Sequence, residues 1–95
     1  SKRVFKRLFN ILDPTLRLQD IEESFEDPFA VRLLPDSPRF AVQARFFNLG
    51  VSIGGTGIFT VYRTNGKQVR VVFARKFEPE EQMFYQRRLN TALSQ

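Results

Sequence analysis

The sequence predicts an α+β domain with N-terminal helices, an antiparallel meander of three to four strands and one C-terminal helix. Three observations carry this. Apolar residues recur at helical spacing up to Pro28 and at a period of two beyond it. Asn65-Gly66 sits between two strand-like runs, the dipeptide a type I′ hairpin turn requires. Pro79 opens a segment with Glu80 and Glu81 at its start and Arg87 and Arg88 near its end, the charge order a helix dipole favours.

Each element has its own signal. From Val4 to Leu12, Val4, Phe5, Leu8, Phe9, Ile11 and Leu12 form a helical stripe. Asp13-Pro14 reads as an N-cap followed by proline in the first turn. Leu18, Ile21 and Phe25 then continue a second helix that Pro28 ends. Phe29–Leu34 is a short strand, closed by a loop at Pro35-Asp36-Ser37-Pro38. Ala41–Ile53 is a long strand rich in Phe and Val, Gly54–Gly57 a turn, Ile58–Arg63 the next strand and Gln68–Phe77 the last.

Ninety-five residues make one domain, residues 1–95, with a thin stability margin. Cysteine and histidine are both absent. Disulfide scaffolds, cysteine or histidine metal sites, thiol catalysis and imidazole acid–base chemistry are therefore excluded, and no cofactor is expected. A net charge of +5 favours an anionic partner such as nucleic acid, or an acidic protein, over a solvated surface. No apolar run approaches the roughly 18 residues that would span a bilayer, so a soluble cytoplasmic protein without membrane contact is expected. Eleven phenylalanines are spread along the chain, as core filler or as base-stacking platforms.

The second half carries a resemblance. Ala44-Arg45-Phe46-Phe47-Asn48-Leu49-Gly50 is similar to the E-R-F-x-x-I-G strand of the BrnT family, toxins of bacterial type II toxin–antitoxin pairs with a RelE-like ribonuclease fold. Val61-Tyr62-Arg63-Thr64 resembles its V-V-Y-T, and Val69-Arg70-Val71-Val72-Phe73-Ala74-Arg75-Lys76 its I-R-I-I-S-A-R-K. Glu81 and Tyr85 keep the spacing of E-R-x-x-Y, and Phe25-Glu26-Asp27-Pro28 matches an upstream Asp-Pro motif. The family's Lys-His-Gly falls on Asp13-Pro14-Thr15, its E-R-F glutamate on Ala44 and its E-R-x-x-Y arginine on Gln82. Its first strand would precede Val4.

The resemblance implies a metal-independent ribonuclease that inhibits translation. A cognate antitoxin would neutralise it and help repress the operon on DNA. Lost family residues leave a second reading, a degenerate member kept as a protein- or nucleic-acid-binding module. Arg45, Arg75 and Glu81 are the candidate catalytic residues, because a guanidinium stabilises charge on a phosphorane. Lys6, Arg7, Lys67, Arg70 and Lys76 are candidates for RNA binding through counterion release.

Each has a plainer alternative. On alternation Arg75 shares a face with Val69, Val71 and Phe73, so it is a site residue at the sheet rim or a snorkelling edge residue. Arg45, on the face of Phe47 and Leu49, has the same two readings. Glu81 orients Arg75, acts as a base, or compensates the helix dipole. Tyr85 reads as core. With two-residue turns at Gly55-Thr56 and Asn65-Gly66, Arg45 and Arg75 lie about 30 Å apart along the strands. Gly54–Gly57 lacks the lysine and following helix of a phosphate loop, so a hairpin turn is expected there.

Overall fold

The computed structural model describes residues 4–6 (backbone), 15–33, 45–64 and 67–94. In chain order these form β1 (Val4–Lys6), α1 (Leu18–Glu26), β2 (Val31–Leu33), β3 (Arg45–Val51), β4 (Gly57–Thr64), β5 (Gln68–Lys76) and α2 (Pro79–Leu93). One five-stranded sheet has the order β1-β5-β4-β3-β2. Strands β2 to β5 pair antiparallel, and β1 adds to β5 in parallel. The α+β layout is the one the sequence predicts.

Two N-terminal expectations are corrected. Val4–Lys6 is a strand, not the start of a helix; residues 7–12 lie outside the described residues. A β-branched and an aromatic residue fit an edge strand, and pairing with β5 outweighs the helical spacing of a short stripe. The next helix starts at Leu18, because Asp20 reaches back to accept the Arg17 N–H at 3.0 Å. Asp13-Pro14, expected to cap it, lies outside the described residues, as do Pro35–Pro38, residues 41–44 and Asn65-Gly66.

The sheet is covered on both faces. Against one face, Leu16, Ile21 and Phe25 pack on Ile58, Tyr62, Val69, Val71 and Ala74. Phe25 meets Tyr62 edge-on with ring centroids 4.8 Å apart. Gly50 lets α1 lie this close, since a Cβ there would overlap the Ser24 carbonyl. Against the opposite face, α2 seats Tyr85 with Val31 and Leu49, flanked by Val51, Phe59, Phe77, Phe84 and Leu89.

Asp27 joins the two layers. One carboxylate oxygen accepts the Phe29 N–H in a local turn at 2.9 Å. The other accepts the Val51 N–H at 2.9 Å and the Tyr85 hydroxyl. Burial, then this carboxylate, pushes the Tyr85 phenol above its ordinary range.

The register of β4 and β5 shifts between Val61 and Tyr62. Val61 opposes Phe73 and Tyr62 opposes Val71, so Val72 is an extra residue on β5. This corrects the expected face of β5. Phe73 and Arg75 lie on the α2 side, whereas Val69 and Val71 are buried in the α1 core. Arg70 is carried back to the α2 side, opposite Arg63.

Candidate nucleic-acid interface

Pairing places basic residues in one transverse rung. Arg45 on β3 opposes Arg63 on β4, and Arg63 opposes Arg70 on β5. On the edge strand, Lys6 occupies the register position of Arg70. Like charges directly opposite cost roughly 0.2–1 kcal/mol per pair, so such a rung opposes folding unless an anion neutralises it. Arg63 and Arg70 are exposed and Arg45 is half-buried. Among the described residues, none of the three guanidiniums has a carboxylate within 4.0 Å. Nε of Arg45 is buried and has no hydrogen-bond partner.

The neighbouring rung toward α2 is aromatic. Phe47 and Phe73 flank Val61 there, both half-buried. Phe47 stacks on Phe59 at 5.8 Å and 20°, while Phe59 lies 6.0 Å from Phe73. The α2 core begins one rung further on, with Leu49 and Phe59. This end of the face therefore presents guanidiniums beside aromatic rings. A depression of about 230 Å³ is lined by Arg63, Thr64, Gln68 and Arg70.

Arg75 and Glu81 come together, but they close on each other. Arg75 Nη1 donates to Glu81 Oε1 at 2.6 Å and Nη2 to Oε2 at 2.7 Å. Nη1 also donates to the Lys76 carbonyl at 3.3 Å, and Nη2 sits 3.2 Å from Glu78. The guanidinium lies 4.4 Å from the Phe59 ring centroid. Its terminal nitrogens are thus committed within the protein. Burial pushes the Glu81 carboxyl up, yet the Arg75 guanidinium and the Glu78 N–H outweigh it and hold it below the ordinary range. That makes it a poor proton acceptor and a good anchor between β5 and α2.

Arg45 and Arg75 are closer than the turn arithmetic gives. Arg45 aligns with Arg63 and Arg75 with Phe59, four residues apart along β4 with one strand on each side. Strand geometry then separates their backbones by about 16 Å, because both turns are longer than two residues. Thr64 opposes Val69 rather than Lys67. The two arginines share a face without sharing a centre.

The remaining candidates are peripheral. Lys67 is exposed in the β4–β5 connection, Lys76 is exposed at the far end of β5, and Arg7 lies outside the described residues. Arg63 is the residue sequence reasoning missed. Alternation from Phe59 through Val61 places it on the aromatic face, but its partners depend on the register and the bulge. Among the described residues no helix is long and apolar enough to cross a membrane, and no three acidic side chains gather as metal ligands would. No family model matches the chain, and comparison with curated proteins and solved structures finds no match either.

Proposed function

We propose that this protein acts on RNA as a BrnT-like toxin, a metal-independent ribonuclease restrained by a cognate antitoxin that covers its basic face. One observation carries the reading: three arginines in register on adjacent strands, none with a carboxylate within 4.0 Å among the described residues. An RNA strand on this rung would have its phosphates neutralised and charge on a phosphorane stabilised. The reaction is attack of a 2′-hydroxyl on the adjacent phosphorus. The O2′–P bond forms, the P–O5′ bond breaks, and the 2′-hydroxyl proton passes through solvent to the departing 5′-oxygen. The products are a 2′,3′-cyclic phosphate and a 5′-hydroxyl.

A second reading, a binding module that no longer cleaves, is favoured by the pairing of Arg75 with Glu81. This pair occupies Glu81, the candidate base, and lacking general acid–base catalysis costs about 10²–10⁴ in rate. Incubating the purified protein with total RNA, with and without EDTA, separates the readings. The toxin reading expects cleavage in both arms and growth arrest on induced expression. Intact RNA would leave only the module; cleavage stopped by EDTA would overturn the metal-free mechanism.

A further inference from the structure

We infer that the Arg45–Arg63–Arg70 rung is a phosphodiester track for single-stranded nucleic acid running across the β-strands, with Arg63 and Arg70 as its principal contacts. This rests on the RNA-acting reading and deepens it by naming strand state, direction and residues.

The bulge is the first support. Without Val72 as an extra residue, alternation from Arg75 would leave Arg70 on the α1 face; with it, Arg70 stands opposite Arg63. A bulge that re-aims a side chain next to a like charge makes the fold less favourable, an arrangement typical of binding sites. The second is scale. Three adjacent strands place the rung's backbone positions over about 10 Å, a line of positive charge that matches a chain of phosphates rather than a single anion.

The third support is the aromatic rung, about 7 Å further along the strands. A cationic row that follows the backbone, beside rings that receive bases, is how single strands are held without sequence preference. A duplex keeps its bases stacked inward and cannot use those rings. The Arg63–Arg70 depression gives one phosphate a seat.

Fluorescence anisotropy with a 2′-O-methyl RNA 12-mer, which cannot be cleaved by 2′-hydroxyl attack, reads binding apart from chemistry. The full chain is compared with Arg63→Gln, Arg70→Gln and, as a control on α2, Arg87→Gln, each checked for a native melt. Arg63→Gln and Arg70→Gln are expected to weaken binding about tenfold each. Each should lower the slope of log K against log salt by about 0.7, with Arg87→Gln close to the parent. A duplex of the same length should bind more weakly than the single strand.

Parent-like binding by both rung variants, or tighter binding of the duplex, would overturn the track while leaving an RNA-acting protein. No binding to any oligonucleotide would overturn both readings. Absent cleavage of natural RNA, with rung-dependent binding intact, would remove the enzyme alone and support the track.

Discussion

Glu81→Gln tests whether the Arg75–Glu81 pair is an anchor or a piece of catalytic machinery. The Glu81 carboxylate accepts two hydrogen bonds from Arg75, at 2.6 and 2.7 Å, and one from the Glu78 N–H at 2.8 Å. The Arg75 and Glu81 side chains are 26% and 21% exposed, so water screens the pair only in part. Glutamine keeps the shape but turns an amide donor toward a guanidinium donor. Hydrogen bonds to charged groups contribute about 1.5–3 kcal/mol, so a loss of about 2 kcal/mol is expected. For a chain of this length that lowers Tm by about 8–16 °C. A double-mutant cycle with Arg75→Gln should return a coupling of about 1–2 kcal/mol.

The pH dependence follows the same pair. Glu81 is held below its unfolded value, so its contribution is complete above the ordinary carboxylate pKa of about 4.3 and is lost as pH falls through the depressed value. Melting temperatures of the parent and Glu81→Gln should therefore differ at pH 7 and converge in acid. An unchanged melt together with abolished RNA cleavage would refute the anchor and make the pair catalytic.

Arg63→Gln should stabilise the fold by a few tenths of a kcal/mol to about 1 kcal/mol at low salt by relieving repulsion across the rung, with the gain fading at 1 M salt; thermal melts at two ionic strengths check this. Gly50→Ala drives a methyl into the Ser24 carbonyl and should destabilise by about 3 kcal/mol, read from the urea midpoint. Thr60→Val removes a fully buried hydroxyl without a hydrogen-bond partner and should raise stability by about 1 kcal/mol in the same titration.

The antiparallel meander and the C-terminal helix were legible because alternation and charge order act over neighbouring residues. Pro79 with Glu80 and Glu81 marks the start of α2, and the Phe-rich run contains β3. What sequence could not give is long-range. Val4 and Phe5 fit a helical stripe as well as an edge strand, and pairing with β5 decides between them. Arg63 and Arg70 become neighbours only through a bulge, which sets Val69 and Val71 in the α1 core and leaves no local signature. Asp27, Gly50, Glu81 and Tyr85, which the sequence motifs single out, hold layers together.

Backbone amide shift mapping by NMR, on titration with an uncleavable single-stranded RNA, locates the ligand directly. Perturbations should centre on Arg45, Phe47, Arg63, Arg70 and Phe73, spare α1, and fade with salt. Shifts confined to the outer surfaces of α1 or α2, or none at low salt, would contradict the assignment of this sheet end as the place where RNA is held.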